Sequence, residues 1–307
     1  MRIVAALGGN ALLQRRDRPD AVLQRHHVHD AVAALRPLAE EHELLVTHGN
    51  GPQVGVLALE SAADGSLSSP YPFDVLGAET QGMIGYWLVQ ELGNAVPARP
   101  VAGLLTQTVV AGDDPAFGAP TKFVGPSYEE GEARRLAAGA DWVVRRDGER
   151  WRRVVPSPAP VAVVEADLIR SLLGDGVLVV CAGGGGVPVV RDPDGTLRGV
   201  EAVVDKDATA SLLARELDAD LLLVLTDVPA VSVDWGTPAA RAIRSAVPAE
   251  LRARAFPAGS MGPKVAAVCD FVERTGRPAA IGALADVSAI VAGEAGTTVR
   301  AAAVGAA

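Results

Sequence analysis

Lysine is nearly absent from this chain of 307 residues: of its 28 basic residues only Lys122, Lys206 and Lys264 are lysines, and the others are arginines. Where arginine serves as the general cation, the lysines that remain mark positions where a compact ammonium fits and a wide planar guanidinium does not. Cysteine is scarce too. Cys181 and Cys269 stand far apart without metal-type spacing, which argues against a disulfide scaffold or a zinc site and fits a reducing, cytoplasmic setting. Positive charge is in deficit, with a net charge of -9, so neither a nucleic-acid-binding surface nor a basic membrane patch is expected. Long apolar runs are missing as well. No segment approaches the ~18 residues that span a bilayer, and the apolar stretch from Ile3 to Leu7 is too short for a signal h-region, so a soluble, unexported protein is expected.

Two familiar phosphate-binding patterns are also lacking. No G-x-x-x-x-G-K-[ST] occurs, and Gly49-Asn50-Gly51 is followed by glycine at position 55 rather than 54, which disfavours a P-loop ATPase and a Rossmann dehydrogenase.

What is present is a composition of 49% hydrophobic and 21% charged residues, enough for a sizeable core in one large domain or two smaller ones. Four short apolar runs end abruptly in loop residues. They are Ile3 to Leu7 before Gly8-Gly9-Asn10, Leu44 to Val46 before Thr47-His48-Gly49-Asn50-Gly51, Val177 to Val180 before Cys181-Ala182-Gly183-Gly184-Gly185-Gly186, and Leu221 to Leu225 before Thr226-Asp227. Continuous rather than alternating hydrophobicity predicts strands covered on both faces, as in parallel α/β sheets. Their loops then share the edge at which open α/β sheets bind ligands.

Helical spacing fills the gaps: Val28, Val32, Leu35 and Ala39 with a kink at Pro37; a segment from about Val75 to Leu92 with Asp74 as N-cap; a helix starting near Asp207; and one led by Pro263 with Val265, Val268, Cys269 and Val272 on one face. Between Asp113 and Pro160 the texture changes to frequent prolines and clustered charge, which reads as an inserted subdomain.

Any one glycine-rich loop could be an ordinary tight turn. Three at one sheet edge bring bare backbone N–H groups toward an anion. Each lysine lies in a loop or at a helix start: Pro120-Thr121-Lys122, Val203-Val204-Asp205-Lys206-Asp207 and Gly259-Ser260-Met261-Gly262-Pro263-Lys264. A helix N-terminus already gathers positive charge, so lysines there are unfavourable unless an anion binds. Asp205 and Asp207 could orient Lys206; read alone, the trio is equally a solvated helix cap. His26, His29 and Asp30 share a helix face and read as solvated rather than metal-binding, and His48 has no nucleophilic partner in sequence.

Taken in order, these stretches resemble the carbamate kinase family within the amino-acid-kinase superfamily. The resemblance runs nearly end to end, through Leu7-Gly8-Gly9-Asn10-Ala11, Thr47 to Gly55, Thr80-Gln81-Gly82-Met83-Ile84-Gly85-Tyr86-Trp87-Leu88, Pro120-Thr121-Lys122, Arg153 to Pro158, Gly183 to Val189, Gly199 to Asp207, and Gly259 to Lys264. It implies a three-layer α/β/α sandwich with a mostly parallel open sheet and a small protruding subdomain at 113–160. An N-terminal lobe, 1–200, would bind the acceptor, and a C-terminal lobe, 201–307, the nucleotide. The implied reaction is reversible, Mg2+-dependent phosphoryl transfer between ATP and carbamate, in arginine or other nitrogen catabolism, by a cytoplasmic homodimer. Such chemistry needs alignment and charge neutralisation more than a nucleophilic side chain.

By that resemblance Lys122, Lys206, Asp207 and Lys264 are the catalytic residues. Gly8, Gly9, Asn10, His48, Gly49, Asn50, Gly51, Gly184 and Gly185 would bind the acceptor or phosphoryl group, and Thr226, Asp227 and Met261, with Lys206 and Lys264, the nucleotide. Magnesium would come with ATP or ADP, with no protein ligand assigned. The chain departs from the family pattern at Phe123, Ser127 and Pro229, and at Ala6, where many relatives carry a lysine whose place Lys122 would take. Two alternatives stay open: a kinase of another small acid on the same fold, and a non-catalytic nucleotide sensor.

Overall fold

The computed structural model describes residues 1–9, 12, 13, 17–140, 142–257 and 259–302. The apolar runs form the middle of an eight-stranded sheet. Arg2–Leu7 (β1) lies between Glu43–His48 (β2) and Leu221–Thr226 (β12), parallel to both. Leu178–Val180 (β9) and Val101–Gly103 (β3) extend the sheet beyond β2, while Ala279–Ala283 (β16), Thr297–Val299 (β17) and Ser245–Ala246 (β15) extend it beyond β12. Among the described strands of this sheet, only the β16–β17 pair is antiparallel.

The pleat sends alternate residues of each run to opposite faces. Val4, Ala6, Leu222 and Val224 pack under Ala166–Gly174 (α5), Lys206–Glu216 (α6), Pro248–Arg252 (α7) and Met261–Thr275 (α8). Ile3, Ala5, Leu7, Leu221, Leu223 and Leu225 pack under Ala21–Glu41 (α1), Phe73–Ala95 (α3) and Val287–Val291 (α9). Both faces are covered, which is why the strands read as unbroken hydrophobic runs and why the molecule is a three-layer α/β/α sandwich. No described helix is long and apolar enough to cross a membrane.

A second sheet of Gln107–Val110 (β4), Pro160–Val163 (β8), Val187–Arg191 (β10) and Leu197–Gly199 (β11) flanks the first, and Ser232–Val233 (β13) pairs with Arg241–Ala242 (β14). The proline-rich stretch builds a separate three-stranded sheet of Lys122–Tyr128 (β5), Val143–Asp147 (β6) and Arg150–Val155 (β7), with the helix Glu130–Ala140 (α4). This subdomain is docked on the body. Val124 and Val155 share an apolar cluster with Val54 and Ala58 of the helix Gly51–Ala63 (α2) and with Phe73, Leu76 and Val203. At the contact, backbone meets backbone: a Cβ on Gly55 would lie 2.0 Å from the Cα of Gly125, whose φ is +69°. Arg153 completes the dock, its guanidinium 4.7 Å from the Phe73 ring centre, 4.6 Å from that of Trp142 and 3.7 Å from Glu201.

Several element boundaries differ from the sequence expectation, and at one of them a distant residue supplies the cap. The helix expected from Val75 begins at Phe73, so Asp74 falls in its first turn rather than at its cap; the Phe73 N–H donates to Glu201 Oε2 at 2.8 Å. Asp205 rather than a later residue caps α6, accepting from the amides of Asp207 and Ala208. Helix α8 begins at Met261, which makes Pro263 its third residue rather than its first. Lys122 opens a strand, β5, and not a loop. Pro37, the expected kink, lies inside helix α1.

Candidate active site

The loops after β1, β2 and β12 meet at one cleft of about 900 Å3. They are tied to the sheet by its own ladder: the Gly8 amide donates to the Leu225 carbonyl at 2.8 Å, and the Gly49 amide to the Leu7 carbonyl at 3.1 Å. Helix α2 starts at Gly51, in the cleft wall, and leaves its first-turn N–H groups without intrahelical acceptors.

The third glycine loop closes the wall from behind. Ala182, Gly184, Gly185 and Gly186 all have positive φ. A Cβ at 183 would come within 2.3 Å of His48 Cε1, and one at 184 within 2.1 Å of Asn50 Nδ2, so the close approach as well as the backbone turn demands glycine. Gly184 lines the cleft. Gly185 lies behind it, its carbonyl accepting from Thr108 Oγ1 at 2.7 Å and Thr209 Oγ1 at 3.0 Å.

Two residues of the Thr80-Gln81 stretch hold these loops together. Asn50 Nδ2 donates to Thr80 Oγ1 at 2.8 Å. Gln81 exchanges hydrogen bonds with the backbone of Thr106, whose hydroxyl accepts the Ala182 amide at 2.8 Å. His48, expected among the acceptor-binding residues, does not line the cleft. It sits behind the second loop with Nδ1 on the Gly49 carbonyl at 3.1 Å and borders a separate pocket of about 650 Å3 with Gly183 and Cys181. Burial, offset in part by that carbonyl and reinforced by the Lys206 charge, lowers its pKa to about 4, so the ring is neutral at neutral pH.

All three lysines converge on the cleft. Lys206 and Lys264 share the Asp207 carboxylate: Lys206 Nζ donates to Oδ1 and Lys264 Nζ to Oδ2, the latter at 3.1 Å. Lys122 reaches in from the subdomain and donates to Asp205 Oδ2 at 2.5 Å. Burial brings Lys206 down to about 8, against the raising effect of Asp207, with the Lys264 charge lowering it further. Burial also disfavours the charged forms of Asp207 and Lys264, but mutual attraction outweighs it; Asp207 is held well below the usual carboxylate range and Lys264 above the usual lysine value.

Thr226, Asp227 and Met261 line the side of the cleft formed by the C-terminal elements. Trp235, 64% exposed, and Phe256 stand with them. Asn10 lies outside the described residues. Phe123 reaches across to Gly259, under the Arg152 guanidinium at 5.6 Å. On α1, His26 lies 3.5 Å from Asp30 and His29 lies 3.1 Å from Glu91; no group of three or more His, Cys, Asp or Glu able to hold a metal occurs among the described residues.

Sequence reasoning missed Trp235 and the supporting pair Thr80 and Gln81, and it offered Asp205 as a partner of Lys206, whereas its carboxylate pairs with Lys122. Trp235 had one signal: aromatics make up only 4% of the chain, and a tryptophan in a Gly-Pro-rich turn has no core to fill.

A parallel sheet whose strand ends carry anion-cradling glycine loops, faced by lysines clustered around a shared carboxylate, is the framework of a phosphoryl-transferring kinase. The chain belongs to the amino acid kinase family, whose family model matches residues 1–283, and within it to the carbamate kinases. It is 53% identical to the carbamate kinase of Rhizobium meliloti (strain 1021) over 302 residues, covering 97% of this chain and 93% of that one. Identity to the Haemophilus influenzae carbamate kinase is 51% over 300 residues, 97% and 96% of the two chains. Carbamate kinase from Giardia lamblia bound to AMP-PNP superposes with a TM-score of 0.89 at 38% identity, covering 98% of each chain.

Proposed function

We propose that this protein transfers a phosphoryl group reversibly between ATP and carbamate, with Mg2+, in the cytoplasm and in the service of arginine or other nitrogen catabolism. The observation that carries the reading is the meeting of all three lysines of the chain with the glycine loops at one cleft. Gly8, Gly9, Gly49, Asn50, Gly51 and Gly184, carried by β1, β2 and the loop after β9, would receive carbamate and the phosphoryl oxygens. Lys206 and Lys264 would neutralise the phosphates, with Asp207 as the group that yields them, and Lys122 would contact the transferring oxygens. The 1–200 lobe would thus serve the acceptor and the 201–307 lobe the nucleotide; that the Giardia relative is bound to AMP-PNP supports a nucleotide site on this fold.

Magnesium fits this site as a companion of the nucleotide. Asp205 and Asp207 are already engaged by lysines, so the ion would be held mostly by phosphate oxygens and water, its usual mode beside ATP. Bound there, it would supply further neutralisation of the phosphate charge. For a second copy of this chain, the candidate face is α3 beside the edge strand β3, where Tyr86 and Leu105 are exposed; light scattering at micromolar concentration should return twice the monomer mass.

The deciding assay couples ADP formation to carbamate, acetylglutamate, glutamate and aspartate in turn. Turnover with carbamate is expected; phosphorylation of another acid alone would overturn the reading in favour of that kinase, and nucleotide binding without any turnover would favour a sensor.

Two further outcomes follow from the geometry. Trp235→Ala should raise the nucleotide KM about 3- to 10-fold through loss of aromatic contact, with kcat altered less; an unchanged KM would remove Trp235 from the nucleotide site. Nucleotide binding should also take up a proton in mild alkali. Lys206 titrates near 8 without ligand, and adjacent phosphates raise that value, so at about pH 8.5 a neutral amine becomes charged on binding, whereas at about pH 6.5 it is charged in both states. Calorimetry in buffers of different ionisation enthalpy measures the uptake, and its absence at the higher pH would show that Lys206 does not face the phosphates.

A further inference from the structure

We propose that Asp205 is the positioning residue for Lys122, setting the subdomain lysine in register with the lysines on the body. The inference rests on the kinase reading above and concerns a residue that reading leaves without a role.

The Asp205 carboxylate is divided between two tasks. Oδ1 caps α6, accepting the amide N–H groups of Asp207 at 2.9 Å and Ala208 at 3.2 Å, and so fixes the turn that carries Lys206 and Asp207. Oδ2 accepts from Lys122 Nζ at 2.5 Å, across 83 positions of sequence and across the boundary between subdomain and body. One side chain therefore joins the helix bearing Lys206 to the strand bearing Lys122. A serine or threonine would cap the helix equally well. Only an acidic cap does so and also draws in an ammonium.

Lysine is a point charge on a flexible stem with four rotatable bonds. The subdomain can dock with its backbone correct while Lys122 still samples many rotamers, and a charge that wanders contributes little to a transition state whose stabilisation depends on preorganised groups. Asp205 selects one direction. Of the three Nζ–H donors it takes one, which leaves two for phosphoryl oxygens. Burial alone would raise the Asp205 pKa, but the Lys122 charge outweighs it and holds the carboxyl below the ordinary range, so the acceptor is ionised at neutral pH.

The test is a double-mutant cycle on the full-length protein, read as kcat, nucleotide KM and melting temperature for wild type, Asp205→Asn, Lys122→Met and the double variant. Asparagine keeps an oxygen to cap α6 and removes the charge that holds Lys122. Asp205→Asn should lower kcat about 10- to 100-fold with a nucleotide KM within about 3-fold of wild type, and should lower it no further when Lys122 is already methionine. Asp205→Ser, a cap that cannot hold the ammonium, should match Asp205→Asn. Equal losses from Asp205→Asn in both Lys122 backgrounds, or an unchanged kcat in the first, would overturn the proposal. Wild-type turnover with carbamate is read in the same series, so failure of the function itself, seen as turnover only on another acid, is separate from failure of the cycle, which is then run on that acid.

Discussion

Lys206→Arg is expected to reduce turnover by about 10² to 10³, the loss typical of removing one preorganised donor from a charge-stabilising site, although the substitution conserves charge. The residue is only 9% exposed, and its stem runs along the second glycine loop, where a Cβ on Gly49 would lie 3.5 Å from Lys206 Cδ. A guanidinium is broader and presents a planar fork; seated here it would push against Gly49 or leave Asp207. Steady-state kcat, with a melting curve to show that the variant is folded, measures the effect. Turnover near that of wild type would mean that charge alone matters at this position.

Asp207→Asn should be the most destabilising change in the site. Its carboxylate bridges Lys206 and Lys264, and without it the two buried ammonium groups repel each other with only Asp205, already paired with Lys122, left nearby as counter-charge. Breaking a buried pair in this way typically removes about 3–5 kcal/mol. Nucleotide phosphates can stand in for the lost carboxylate, so ATP should raise the melting temperature of Asp207→Asn by more than it raises that of wild type, while kcat stays depressed. Equal shifts in the two proteins would show that Asp207 does not occupy the place the phosphates take. The sign with pH follows from the depressed pKa of Asp207: its stabilising contribution is present above the ordinary carboxylate pKa and is lost as acid protonates it, so wild type and Asp207→Asn should converge in stability well below about pH 4.

Much of the frame could be read from residues alone. The four apolar runs became β1, β2, β9 and β12 because both faces of a parallel sheet are buried, and that leaves a signature in composition. The lysines were legible through scarcity. What could not be read was whatever depends on partners far away in sequence. Nothing near Phe73 announces that Glu201 will cap its helix, and nothing in Asp205-Lys206-Asp207 says which carboxylate serves which lysine. His48 illustrates the same limit: a histidine beside a glycine loop reads the same whether its ring faces the ligand or the packing behind it, and only Gly183, pressed against the imidazole, decides.

The contact between Gly55 and Gly125 has a consequence for how this family member can vary. With no side chain on either residue, the distance between α2 and β5 is as short as two backbones allow and cannot be retuned by exchanging one side chain for another. Lys122 stands three residues upstream on the same strand, about 10 Å at ordinary strand rise. That stretch of β5 is a ruler. Inserting or deleting a single residue between Lys122 and Gly125 would turn the lysine to the opposite face of the strand and empty its place in the cleft.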